Sequence, residues 1–330
     1  NKLVKERSLV CLYDFENREK IFPDVDGRFK FSILGMAGSE TAVDKADFVF
    51  FAHAMDDIED DKRHIPLSAE DMALMNPNTR TCPVFRSRKD AVLTRAIYNR
   101  VPVLIDKNRK EGGNPWGIKF ATMFHQTNDA DHFMTADRLK KDGYTLEGNI
   151  WTKGKKRCLP LYEAKMIQAY DHRAASIVVK DSNWVRQGQT EPTSLVKHQD
   201  SSFMPQPRFW AAEKAIEEAL PDFDKPVFLA YKDVTSPTNQ RTMIASFIPP
   251  YGVLNSAPLV LPGDEINQRS LCCLLANLNT FVYDYVARQK VGGVHLNFFI
   301  VEQLPTLSPD TYSQKCPWSR GADKTLADLA

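Results

Sequence analysis

Residues 271–305 read LCCLLANLNTFVYDYVARQKVGGVHLNFFIVEQLP, and the choice of fold turns on this stretch. Leu271, Leu274, Leu275, Leu278, Val282 and Tyr285 recur at three- and four-residue spacings. That pattern predicts one helix of about five turns with a single apolar face. Arg288, Gln289 and Lys290 follow, at the end where a helix macrodipole favours cations. Gly292-Gly293 breaks the chain, and the β-branched and aromatic run from His295 to Val301 predicts a buried strand. A short basic loop, from Arg288 to Asn297, is thereby presented between a helix and a strand.

The rest of the chain reads outward from that unit. Residues 1–54 hold three apolar runs, Leu9–Tyr13, Phe29–Met36 and Phe48–Ala54, separated by polar turns. These are strands joined by tight connections, expected to complete a sheet begun upstream. Ser68-Ala69-Glu70-Asp71 and Ser87-Arg88-Lys89-Asp90 each open a helix with a capping box, the first stopping before Asn76-Pro77 and the second before Val101-Pro102. Thr135 caps a further helix ended by Gly143. A hairpin turns at Gly154, a helix spans Ala211–Leu220, and strands cover Pro226–Tyr231 and Arg241–Ile248. Residues 187–207 have no period and read as a long exposed loop. Helices and strands alternate without a repeat, so the fold class is α/β on a mixed scaffold.

With 330 residues, 43 basic and 42 acidic side chains and a net charge of +1, the chain is a folded globular protein without a uniformly basic surface. No apolar run approaches the roughly 20 residues that span a bilayer, and the start NKLVKERSLV lacks a signal-peptide core, which predicts a cytoplasmic protein. The start at Asn1 fits a piece of a longer one. Six cysteines without C-x-x-C or zinc spacing read as free thiols.

Charge is nevertheless patterned. Met55–Asp71 holds seven acidic residues, and Arg80–Arg100 holds six basic ones against Asp90. A second basic cluster, Lys153, Lys155, Lys156 and Arg157, sits at the Gly154 turn.

Catalytic motifs are weak. An adenine methyltransferase needs Asn/Asp-Pro-Pro-aromatic to hold a flipped base; Asn114-Pro115-Trp116 lacks the second proline, and Asn76-Pro77-Asn78 lacks the aromatic too. Gly35-Met36-Ala37-Gly38 follows a strand but opens no helix, unlike a cofactor loop. Asp142 with Glu163-Ala164-Lys165 matches the letters of a Mg²⁺ nuclease, a pattern short enough to recur by chance. No Gly-x-Ser-x-Gly elbow occurs, and of the seven scattered histidines only His172 and His295, in loop-like settings near basic residues, remain as contact candidates. What remains is a set of polar and basic loops suited to phosphates and base edges. Its members are Arg80, Arg86, Arg88, Lys165, His172, Arg173, Lys232, Arg241, Arg288, Lys290, His295 and Asn297.

Several long segments also carry a resemblance: LYDFENREKIFP with FKFSIL, residues 67–98, NPWGIKFATMFHQTNDADHF, LPLYEAKMIQAYDHR, RTMIASFIPP and residues 274–305. In this order they resemble the C-terminal half of large adenine-specific DNA methyltransferases, of the type IIG-like restriction-modification and BREX-like phage-defence kind. The resemblance implies that residues 1–55 are terminal strands of a methyltransferase catalytic domain. It implies that residues 56–330 are a mixed-sheet target-recognition domain, related in plan to type I specificity subunits, binding double-stranded DNA. S-adenosylmethionine belongs to the parent enzyme; this chain lacks the cofactor and catalytic motifs and is expected to hold no cofactor and to be inactive alone. The other readings are a Mg²⁺-dependent nuclease centred on Glu163 and Lys165, and a protein-interaction module of a defence complex.

Overall fold

The computed structural model describes residues 2–38, 40–178, 189–221, 223–319 and 324–330. Its helices and strands form a mixed α/β fold with antiparallel and mixed sheets. Contacts divide the chain into two compact units. One comprises Asn1–Pro115, Tyr285–Gly292 and Phe299–Ser308; the other comprises Trp116–Asp284, Gly293–Phe298 and Pro309–Ala330.

In the first unit, β1 (Leu9–Glu16), β2 (Lys30–Met36), β3 (Ala46–Ala52) and β4 (Ile65–Leu67) form a sheet of order β2-β1-β3-β4. β1 and β3 are parallel and the other pairs antiparallel. β3 has neighbours on both edges and both its faces are covered, so ADFVFFA is apolar at every position but Asp47 instead of alternating. Phe15, Val49 and Ala52 pack on one face. The helices of this unit are α1 (Lys2–Lys5), α2 (Asp56–Glu59), α3 (Ala69–Met75) and α4 (Arg88–Arg100). The Ser68 capping box opens α3, and the Ser87 hydroxyl accepts the Asp90 N–H at the start of α4, so both expected helix starts are found.

The second unit runs through β5 (Lys119–Ala121), α5 (Ala136–Lys141), β6 (Thr145–Glu147), β7 (Ile150–Lys153), β8 (Lys156–Tyr162), β9 (Ala175–Val178), β10 (Gln189–Pro192), α6 (Leu195–Gln199), β11 (Trp210–Ala212), α7 (Glu213–Ala219), β12 (Phe228–Tyr231), β13 (Ala245–Ile248), β14 (Gly252–Val253), β15 (Leu259–Leu261) and α8 (Gln268–Leu278). Its sheets have orders β11-β8-β7-β6, β13-β12-β15-β5 and β10-β9, with β14 parallel to β8. A core that includes Leu161, Tyr162, Ile167, Phe228 and Leu259 lies within them. The hairpin at Gly154 (φ +60°) joins β7 to β8 as the sequence predicts.

Three expectations are corrected. The single helix over 271–285 is two, α8 and α9 (Phe281–Lys290), broken at Asn279-Thr280. Asn279 leaves the helix because its carboxamide accepts the Ala245 N–H at 3.0 Å and donates to the Ala245 carbonyl at 2.9 Å, as an added strand would. The Thr280 hydroxyl accepts the Tyr283 N–H and restarts the helix. The strand expected over His295–Val301 is extended only near His295, which bridges Val234; α10 (Phe298–Val301) follows. Four apolar residues carry too little period to separate one helical turn from a strand. Of the loop expected over 187–207, residues 187 and 188 lie outside the described ones; 189–192 pair with β9, and Ser194 caps α6. α11 (Pro309–Tyr312) follows later in the chain.

One ion pair in the first unit has a pH signature. The His64 imidazole meets the Asp47 carboxylate through Nδ1 and the Ile58 carbonyl, at 2.6 Å, through Nε2. Both neighbours are acceptors, so both ring nitrogens must donate and the ring must be protonated. The Asp47 hydrogen bond, with the Ile58 carbonyl adding to it, raises the His64 pKa. A raised folded-state pKa gives stability that is complete below the unfolded value of about 6.5 and lost as pH rises through the folded value. Thermal midpoints should therefore fall as pH is raised above about 6.5, and His64→Gln should remove that slope; an unchanged slope in the variant would show that His64 is not its source.

Candidate nucleic-acid interface

In the second unit, Ser256 gathers four loops. Its hydroxyl accepts the Ala164 N–H at 3.1 Å, and its carbonyl accepts the Asp233 N–H at 3.0 Å. The Asp233 carbonyl in turn accepts the Leu296 N–H at 2.8 Å, and the Asp233 carboxylate lies 2.6 Å from His295 Nδ1. Lys165, Lys232, His295 and Asn297, which are far apart in sequence, are thus brought to one place. His295 and Asn297 are exposed, and Lys165 is about 37% exposed along its side chain, close to the Glu163 carboxylate. Lys232 is half-buried, and burial lowers its pKa. Cations held on hydrogen-bonded loops of this kind meet phosphates or base edges without having to be ordered first.

Other members of the predicted set support the scaffold. The Arg173 guanidinium donates to the carbonyls of Asp200 (2.8 Å), His198 (3.0 Å) and Phe203 (3.3 Å), tying the 198–203 turn down. His172 beside it is half-buried, and burial, with the Arg173 charge adding to it, lowers its pKa. Arg241 lies over the Phe281 ring at 5.1 Å, donates to the Asn279 carbonyl and sits 3.9 Å from Asp284. Asp284 is 6% exposed and accepts the N–H groups of Thr242 and Met243 at 2.7 and 2.8 Å.

In the first unit, Arg80, Arg86 and Arg88 are exposed. Arg86 lies 4.6 Å from the centre of the Phe51 ring, and Lys30 lies 5.0 Å from the same ring. Arg288 is half-buried. Lys290 is not on an exposed loop. Its ammonium donates to the Met75 carbonyl, the Asn76 side-chain oxygen and, at 3.4 Å, the Gln303 carbonyl, over the Tyr98 ring at 4.9 Å. Burial pushes its pKa down to about 7. Lys290 therefore faces the interior, as a support for the Asn76 turn.

The weak catalytic motifs have structural occupations. Asn76 donates to the Thr81 carbonyl at 2.8 Å while accepting from Lys290, so it closes a turn. Trp116 is fully buried, with its ring against Tyr312, and cannot stack on a base. Gly35 lies within β2, where a Cβ would meet Cys11 Sγ at 2.7 Å, and the next element is the strand β3. Among the described residues no helix N-terminus follows β2 there. Glu163, 3% exposed, has Arg208 Nε 3.1 Å away as a buried counter-charge. Among the described residues no three His, Cys, Asp or Glu side chains gather as a metal site, and no helix is long and apolar enough to cross a membrane. The six cysteines are free, with Cys158, Cys273 and Cys316 buried.

No family model matches this chain, and no curated protein matches it.

The side chains missed in the sequence are the neutral and acidic supports: Ser256, Asn279, Asp284 and Gln303. The signal was present for Gln303, one of two adjacent polar residues, with Glu302, in the apolar run FFIVEQLP, since a buried carboxamide must find partners. Asp284→Ala would leave two buried N–H groups without an acceptor and remove the carboxylate facing Arg241. The cost should be about 3 kcal/mol, read from a lower urea midpoint; an unfolding free energy within about 0.5 kcal/mol of the parent would contradict this role.

Proposed function

We propose that this chain recognises double-stranded DNA as the C-terminal, target-recognition part of an adenine-specific, S-adenosylmethionine-dependent methyltransferase of restriction-modification or phage defence. The observation that carries the reading is the convergence of Lys165, Lys232, His295 and Asn297 on hydrogen-bonded loops around Ser256. Such a cluster combines cations for phosphates with an amide and an imidazole for base edges. The exposed arginines 80, 86 and 88 add a second set of cations on the first unit.

An upstream catalytic domain is the second partner in this reading, and it would supply the cofactor chemistry. β2 supports that part. It is an edge strand, with Ile33, Leu34 and Met36 between 43% and 59% exposed. An apolar edge of this length is a place where a further strand can add. The longer protein would act in the cytoplasm, where the DNA is. In this account Arg173, Arg241 and Lys290 act through the scaffold, and the Glu163–Arg208 pair is structural, so no hydrolytic step is assigned to it.

Anisotropy of a labelled duplex of about 20 base pairs tests the reading. Log affinity should fall linearly with log salt, by about 0.9 for each phosphate contact. Lys165→Ala combined with His295→Ala should weaken binding about tenfold, the loss for one or two charged hydrogen bonds, while the thermal midpoint is retained. Binding indifferent to salt, or untouched by the double variant, would contradict the assignment.

A further inference from the structure

Residues 76–81 and 106–113 form two interlocked loops in the first unit. Asn78 donates to the Ile105 carbonyl at 2.8 Å and accepts the Lys107 N–H at 2.8 Å, and Asn108 donates to the Pro77 carbonyl at 2.9 Å. The second loop closes on itself: Asp106 N–H meets the Gly113 carbonyl at 2.7 Å, and a Cβ on Gly113 would lie 2.4 Å from the Asp106 carbonyl. Only glycine fits there.

Beneath the first loop lies the Gln303 side chain, 2% exposed. Its oxygen accepts the N–H of Asn78 at 3.0 Å, the N–H of Thr79 at 3.1 Å and the Thr79 hydroxyl at 3.3 Å, and its amide donates to the Phe299 carbonyl at 2.7 Å. The Tyr98 hydroxyl holds the Gln303 carbonyl at 2.6 Å. These bonds fix the turn so firmly that Arg80 adopts φ +52°, a left-handed conformation that a side-chain-bearing residue takes only when its surroundings impose it. The Arg80 side chain is exposed, and among the described residues nothing accepts from its guanidinium.

The neighbouring cations differ. Lys107 is held by Glu302 at 2.6 Å and Arg109 by Asp106 at 3.3 Å, whereas Lys110 is exposed. A surface offering one exposed guanidinium on a fixed backbone turn, an exposed ammonium on the interlocked loop and the Thr79 and Thr81 hydroxyls 3.0 Å apart fits an anion with several oxygens. We propose that the interlocked loops are a preformed grip for the phosphodiester backbone of the DNA, with Arg80 as its main contact and Gln303 as a positioning residue acting through Arg80. This rests on the reading of the chain as a duplex-DNA binder. The strained turn makes sense on this account: a guanidinium carried on a backbone already fixed before binding leaves only its side-chain freedom to be lost when it meets a phosphate.

The test is salt-dependent anisotropy with the full chain and a duplex of about 20 base pairs, repeated for Arg80→Gly, Gln303→Leu and the double variant. Arg80→Gly removes the charge and suits the left-handed turn, so its thermal midpoint should rise while affinity falls about tenfold, with a salt slope shallower by about 0.9. Gln303→Leu changes no charge, yet it should lower the slope by the same amount, and the double variant should bind no more weakly than Arg80→Gly. A purely structural Gln303 would leave the slope of the folded protein unchanged and overturn its positioning role. Parent-like affinity and slope in Arg80→Gly would overturn the grip while leaving the DNA-binding reading intact. A parent chain that binds no duplex at low salt would overturn both. Inorganic phosphate at constant ionic strength should not compete; displacement by it would assign the loops to free phosphate instead.

Discussion

A buried carboxamide cannot stay without partners in an apolar setting, and Gln303 satisfies that requirement by holding the turn at residues 76–81. Its oxygen takes two backbone N–H groups and one hydroxyl, and its amide closes on the Phe299 carbonyl. Lys290 adds a buried ammonium to the same turn, donating to oxygens of Met75, Asn76 and Gln303. Leaving these groups unpaired would cost about 1–3 kcal/mol each, which summed over the bonds of Gln303 exceeds the about 1–2 kcal/mol of one left-handed residue. The bonds prevail, and Arg80 accepts the strain.

The same arrangement recurs in the second unit with different residues. Asn279 uses its carboxamide as a strand substitute on Ala245, and Asp284 takes two N–H groups at the start of β13's approach. Ser256 joins the loops that bear Lys165, Lys232 and His295. In each unit side chains whose polar atoms are engaged within the protein do the holding, and exposed cations are what is held. That division explains why Arg173, Arg241 and Lys290, all basic, belong with the supports: their donors are engaged by carbonyls and side-chain oxygens of the protein.

Much of this was legible in the sequence where chemistry is local. The caps at Ser68, Ser87 and Thr135 and the turn at Gly154 depend on residues within a few positions of one another, and they fold as read. The apolar face of 271–278 was legible too, but not the break after it, which leaves Val282 at the surface, 55% exposed, because Asn279 leaves the helix for Ala245, 34 positions away. Four residues of FFIV could not distinguish a turn of helix from a strand. The basic residues of the candidate interface could be named, but not sorted. Whether an arginine meets solvent or a carbonyl is decided by partners distant in the chain, as with Lys290 and Met75, 215 positions apart. The cations at 107–110 carry no such signal in the sequence, because only the bonds to Asn78 and Pro77 join their loop to the one that bears Arg80.

On the proposed function, rigidly mounted basic loops, not the apolar β2 edge, would meet DNA. Amide hydrogen exchange with and without duplex tests it most directly. Added duplex should slow exchange in residues 76–88, 106–113, 163–165, 232–235 and 293–297 and leave β2 unchanged. Slowing confined to β2 and its neighbours, or no slowing anywhere at low salt, would contradict the account.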